Sequence, residues 1–421
     1  MGRDSAIRAV LRDKMLRRLQ YAVIGSMLGR TAFMVALGVW AFREDGAALV
    51  GIAGFIRMAP AAIVAPFAAT LADRYPRNRV MAARESSRAA LCFATAAAVA
   101  ADAPVAVVLI LIGLISLAGS LFEPAKSAIV PSLVERPEQL AAVNATSSAV
   151  NSITYFLGPA LGALLLVVSS VQVTFVGTGI GLLWSAAFAL SLRPRADNAT
   201  TTAPEPGGWL DEVRAGLVVV RDDPGLLLLI LLFGLQTFIA GAVTVFTVVI
   251  ALDLLDAGQG WVGILDAMAG IGAFAGVAVV TRVTANERLS TGVITGLVLW
   301  GVPLALIGIW DVRAAAVLAM LLIGVGDTII DVSSITLVQR IVPEHLLGRV
   351  FGLAETVIIG GMAAGALLAP VVIGLLGIQG ALIAFACLPL IALLAVGALR
   401  ALDARAVVDE RPRALLSLIH I

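Results

Sequence analysis

Asp327 and Asp331 stand four residues apart inside a long apolar run, a spacing that stacks two carboxylates on one face of a helix. Neighbouring carboxylates in a low dielectric cannot both ionise cheaply, so one of the pair would hold and exchange a proton. The competing reading sets Asp331 against water or Arg340 and leaves Asp327 a single packed acid. Three more charges are interred in apolar runs, Arg30, Arg57 and Asp266. A charge at the centre of a bilayer costs roughly 2.5–3.5 kcal/mol on insertion scales, so each needs a partner or a water-filled cavity. The cations belong to the first half of the chain and the acids to the second. A cavity between the halves would then have one anion-attracting wall and one acidic wall, and these five residues are the expected substrate and proton pathway. Glu355 fits a structural role beside Arg349 or reaching toward water.

Catalysis has no comparable constellation. No nucleophile is joined by a base, and neither a ligand cluster for a metal nor a phosphate loop occurs, so no catalytic residue, metal or cofactor is expected. Gly270, Gly272 and Gly276 lie within an apolar run without a preceding strand, and their spacing suits helix packing rather than a dinucleotide. Cys92 and Cys387 sit in apolar runs of opposite halves and read as core filler. There is no nucleic-acid-binding patch.

The elements that must carry these charges are membrane helices. Hydrophobic residues make up 60% of the 421 and charged residues only 14%. Apolar runs at 20–42, 47–71, 79–101, 104–123, 140–168, 172–192, 224–252, 258–281, 291–311, 313–338, 350–376 and 379–400 are each long enough to cross ~30 Å of hydrocarbon. Counting residues up to 88 with the gap that opens the third run and Arg400 with the tail, only Arg30, Arg43, Arg57 and Arg313 of the 29 lysines and arginines fall outside the N-terminal arm, the C-terminal tail and every second gap. The positive-inside rule therefore predicts an all-α multi-pass protein with both termini cytoplasmic. Residues 1–19 form a basic arm without a cleavable leader, 20–192 and 223–400 two bundles, 193–222 a cytoplasmic linker and 401–421 a tail. Within the linker, 209–222 has the pattern of a short amphipathic helix. Pro137-Glu138-Gln139-Leu140 is answered by Pro343-Glu344-His345-Leu346, each preceding a glycine-rich run, as expected if six spans are repeated.

Between the second and third runs the chain reads Ala69-Thr70-Leu71-Ala72-Asp73-Arg74-Tyr75-Pro76-Arg77-Asn78-Arg79. Here it resembles the major facilitator superfamily, whose signature in this loop is Gly-x-Leu-Ala-Asp-Arg-x-Gly-Arg-Lys; Asp73, Arg74 and Arg77 match, and Ala69, Pro76 and Asn78 depart. The resemblance implies two six-helix bundles and a gating switch in which Asp73 pairs with Arg74, Arg77 and a helix start in one state only. Phe122-Glu123-Pro124-Ala125, Ile129-Val130-Pro131-Ser132-Leu133 and Gly158-Pro159-Ala160-Leu161-Gly162 are similar to the branch with enterobactin and macrolide exporters. Gly158, Pro159 and Gly162 correspond to the kinked, closely packed glycine-proline element that antiporters of the superfamily carry.

Leu16-Arg17-Arg18-Leu19-Gln20 and Gly348-Arg349-Val350-Phe351-Gly352 also resemble a subgroup that often bears a cyclic-nucleotide-binding-like domain after the last span, expected here to be truncated. Leu416 to Ile421 can be encoded by the transposon end used in sequencing adapters, so the last six residues are expected to be an assembly scar. The resemblance implies a secondary active transporter in the inner (plasma) membrane, a proton-coupled exporter of small amphipathic or anionic compounds working by alternating access. The partners implied are a small-molecule substrate, protons and the lipid bilayer. The alternative is a membrane sensor or scaffold for a lost cytoplasmic domain.

Overall fold

The computed structural model describes residues 10, 12–72, 76–119, 129–134, 138–193, 209–285 and 289–395, and among them every regular element is a helix. The long helices are α1 (Lys14–Ala72), α2 (Arg77–Ala100), α3 (Val105–Gly119), α4 (Glu138–Val168), α5 (Val171–Leu190), α6 (Trp209–Asp222), α7 (Pro224–Val249), α8 (Gly260–Ala285), α9 (Leu289–Ile309), α10 (Arg313–Ile341) and α11 (Glu344–Ala392). Eight helices among the described residues are long and apolar enough to cross a membrane. The expected amphipathic helix is α6. Two of the spanning helices are interrupted. In α1 the backbone leaves helical geometry at Asp45 and at Gly46 (φ 60°), and in α11 at Gly377 (φ 71°). A positive φ costs glycine nothing, so glycine stands where each helix breaks. Both breaks fall in gaps between predicted apolar runs.

Local signals set other boundaries. Asp223 caps α7, its Oδ1 accepting from the backbone N–H of Gly225 (3.0 Å) and Leu226 (3.3 Å), and Pro224 follows where a missing N–H is harmless. Ser170 caps α5 by accepting from Val173 N–H at 3.3 Å. The end of α5 is closed from elsewhere: Arg18 donates to the Ser191 carbonyl and Asn78 Nδ2 to the Leu192 carbonyl, both at 3.0 Å. These donors satisfy carbonyls that the helix cannot satisfy itself.

The chain divides into two compact units, Met1–Glu205 with Ala257–Ala267, and Pro206–Asp256 with Met268–Ile421. In the first, α1 packs against α4 and α5 through small residues. A Cβ on Gly25 would lie 2.8 Å from the Gly181 carbonyl oxygen, and one on Gly162 3.1 Å from Ala32 Cα. Ser185 fastens the same contact by donating to the Ala22 carbonyl at 2.7 Å. The core at one end of this unit joins Leu16, Leu19, Met81, Ile129, Leu133 and Val143. In the second unit α7 lies on α11, and α8 and α9 lie on α10, again with glycines at the approach points. A Cβ on Gly296 would stand 2.7 Å from Ile330 Cβ, and one on Gly276 2.9 Å from Thr328 Cβ. Close backbone approach is the principal attraction available between helices in lipid, where apolar side chains gain little by leaving their surroundings.

One position isolates this effect. A Cβ on Gly365 would fall inside the van der Waals radius of the Phe238 carbonyl oxygen, whereas Gly374 on the same helix faces open space. Gly365→Ala is therefore expected to destabilise the protein by about 1–3 kcal/mol, and Gly374→Ala to be neutral or slightly stabilising. Thermal unfolding in detergent compares the two; equal midpoints would show that α7 and α11 do not depend on backbone contact.

Candidate functional site

In the second unit, Asp327 projects from α10 toward α7, where Gln236 Nε2 donates to its Oδ1 at 2.7 Å. Gln236 is 3% exposed, and its Oε1 is buried with no hydrogen-bond partner. Asp331 follows one turn along α10 and is half-buried, as is Asp327. The register of α10 against α8 is held by Thr328, whose hydroxyl donates to the Ala273 carbonyl at 2.9 Å. Gly272 and Gly276 make room for Leu321 and Thr328 of α10, so these two of the three glycines read as packing residues do pack. Over their whole lengths α7 and α9 carry no titratable side chain. Asp327 thus has a neutral amide as its hydrogen-bond partner and a second acid as its neighbour on the helix.

In the first unit, Arg30 and Arg57 come from the two arms of α1 and lie within electrostatic range of one another and of Tyr155 on α4. Arg30 Nε is buried without a hydrogen-bond partner, and so is Asn151 Oδ1, one turn before Tyr155. The Ser116 hydroxyl of α3 donates to the Arg57 carbonyl and fixes that arm locally. Neither Arg30 nor Arg57 forms an ion pair among the described residues. Asp266 is half-buried on the portion of α8 that groups with the first unit, and it forms no ion pair among the described residues.

Of the expected gating residues, Asp73 and Arg74 lie outside the described residues. Arg77 is half-buried in the first turn of α2. Gly158, Pro159 and Gly162 are buried in α4. Gly158 abuts the Thr31 side chain of α1, and the Pro159 carbonyl and Ala163 meet Gly263 at the start of α8 within the same unit. Glu355 is exposed.

Two expectations need correction. Arg84 and Arg88, read among the basic residues of a cytoplasmic gap, are buried at 7% and 5% exposure around Glu85 at 0%. Arg84 Nη1 meets Glu85 Oε1 at 2.5 Å and Arg88 Nη1 meets Oε2 at 3.5 Å. Ser26 of α1 donates to the same carboxylate at 2.9 Å, and Arg84 also donates to the Ala118 and Gly119 carbonyls that end α3. The sequence signal for this cluster was the acid three residues before Arg88, a spacing that pairs side chains on a helix. The second correction concerns Cys387, which is exposed; only Cys92 is buried. Gln236 had no sequence signal, being one polar residue in an apolar run.

Comparisons with known proteins agree with this architecture. The family model of the Major Facilitator Superfamily matches residues 21–358. Macrolide efflux protein A of Streptococcus pyogenes is 22% identical over 361 residues, 84% of this chain and 88% of that protein. The putative bacilysin exporter BacE of Bacillus subtilis is 25% identical over 323 residues, 74% of this chain and 78% of that protein. Among solved structures, the nucleoside transporter NupG superposes with a TM-score of 0.76 at 13% identity, covering 92% of this chain and 99% of its own. The peptide transporter POT superposes at 0.73 with 14% identity, covering 96% and 99%.

Proposed function

Because the chain belongs to the Major Facilitator Superfamily, whose members are transporters and not enzymes, we propose that it is a proton-coupled exporter of small amphipathic or anionic compounds. Its efflux-type relatives support the direction of transport. The observation that carries the coupling is the contact of the half-buried Asp327 with the neutral amide of the buried Gln236. An acid placed in this way binds and releases a proton as its access to water alternates. Arg30 and Arg57, within electrostatic range of one another and without an ion pair among the described residues, attract an anionic or amphipathic substrate. Asp266 and Asp331 extend the acidic route, with Asp331 nearer the cytoplasmic water.

The non-helical residues at Asp45-Gly46 and at Gly377 support twelve spans, with α1 and α11 each supplying two. Two six-helix bundles, 20–192 and 223–400, then work by alternating access in the plasma membrane, with both termini cytoplasmic. Asp73, Arg74 and Arg77 act as the cytoplasmic switch, and Gly158, Pro159 and Gly162 let α4 pack and bend as the gate changes state. Proton release from reconstituted vesicles, measured against a panel of macrolides, siderophores and other amphipathic compounds, tests the assignment. At least one compound is expected to evoke proton flux opposite to its own movement. Transport that ignores the pH gradient throughout the panel would sink the antiport reading.

A further inference from the structure

Gln236 makes only part of the hydrogen bonding open to a buried amide. Its Nε2 donates to Asp327 Oδ1 at 2.7 Å, while its Oε1 is enclosed and has no donor. A buried acceptor left unpaired among the described residues bears a desolvation penalty, so it calls for a physical reason. The missing donor can come from the residue already bound. An ionised carboxylate only accepts hydrogen bonds, whereas a protonated one carries a single O–H. A proton on Oδ2 of Asp327 completes a cyclic acid–amide pair: the acid O–H donates to Gln236 Oε1 as Gln236 Nε2 donates to Asp327 Oδ1. We propose that Gln236 is the positioning residue that receives the proton-bearing form of Asp327, joining α7 to α10 by two hydrogen bonds when the acid is protonated and by one when it is ionised. The inference rests on the reading of Asp327 as the proton carrier.

The surroundings favour this pair over other partners. α7 and α9 contribute no titratable group, and on α10 itself the neighbouring acid is Asp331. α8 contributes Asp266, in the portion that belongs to the first unit, and Arg282, whose side chain lies outside the described residues. Asp331 has no hydrogen-bond partner among the described residues, so the amide distinguishes two acids that are otherwise one helical turn apart on one face. Protonation then has a mechanical consequence. It adds a bond between α7 and α10, and so ties proton binding to how the two helices are held together.

Infrared difference spectra of the purified protein in lipid vesicles, recorded on a step from alkaline to acidic pH without substrate, test the pair. The wild type is expected to show a protonated carboxyl C=O band that Asp327→Asn removes. In Gln236→Leu, which keeps the side-chain volume, that band should move to higher frequency because the carbonyl loses its N–H donor. Proton-driven transport should fall roughly tenfold, the size expected from losing about one hydrogen bond, with substrate binding in the absence of a gradient unchanged. Gln236→Asn, too short to close the ring, should give the same spectral shift in a protein that keeps its polar group, so the comparison survives if the leucine variant misfolds. A band assigned to Asp327 that neither variant moves would overturn the pairing and leave Asp327 as proton carrier. No Asp327-dependent band at all would instead remove the proton-carrier reading itself.

Discussion

Asp327→Asn is expected to abolish accumulation driven by a pH gradient, down to the level of empty vesicles, while preserving substrate binding. The amide of asparagine has the shape of the protonated acid and cannot release a proton, so the cycle is held at one step. Asp327 is the acid to choose because Gln236 anchors it at 2.7 Å, whereas Asp331 has no such anchor. Asp331→Asn is therefore expected to lower the rate without uncoupling transport. Arg57→Gln provides the contrast. It should weaken anionic substrates roughly tenfold, on the order of one charge-assisted hydrogen bond, and leave neutral ones alone. Flux and binding measured side by side in reconstituted vesicles separate these outcomes. Active accumulation by the Asp327→Asn protein would rule out coupling through α10.

The largest loss of stability is expected from Glu85→Gln. One fully buried carboxylate serves Arg84 at 2.5 Å, Arg88 at 3.5 Å and the Ser26 hydroxyl at 2.9 Å. Glutamine keeps the shape but removes the negative charge that the two enclosed guanidinium groups share. Breaking a buried ion pair from one side costs about 3–5 kcal/mol, far above the ~0–1 kcal/mol of an exposed pair. The damage should spread beyond α2, since Ser26 belongs to α1 and Arg84 closes the end of α3 through the Ala118 and Gly119 carbonyls. Arg193→Gln, at an exposed position, should change stability by no more than about 0.5 kcal/mol. Unfolding in detergent, followed for both variants, decides the matter: a cost below about 1 kcal/mol for Glu85→Gln would mean that the cluster is not dry.

Much of the architecture is legible along the chain because helix formation in an apolar environment is a local matter. Each run of about 20 apolar residues has to satisfy its own backbone, and only a helix does so within the segment. The breaks are equally local. Asp45-Gly46 and Gly377 interrupt long helices where polar or glycine residues separate two runs. The spacing of Asp327 and Asp331 placed them on one face before any tertiary contact was known, since the helical period alone decides that. The basic loop residues likewise marked the gaps, but they did not distinguish Arg77 and Arg79 from the buried Arg84 and Arg88.

What the period could not reveal is which face meets which helix. Gln236 and Asp327 are 91 residues apart in sequence, and their hydrogen bond exists because α10 comes close enough to α7 for an amide to reach a carboxylate. Arg84 and Arg88 changed from topological charges to a buried cluster only because Glu85, Ser26 and the end of α3 converge on them. Cys92 and Cys387 sit in similar apolar runs, yet one is enclosed and the other exposed. In lipid both faces of a helix are apolar, so hydrophobic pattern scarcely distinguishes a packed face from an outward one. The chain by itself thus determined its helices and their interruptions and set Asp327 and Asp331 on one face; the tertiary structure decided their partners, because pairing depends on where small residues let two backbones approach.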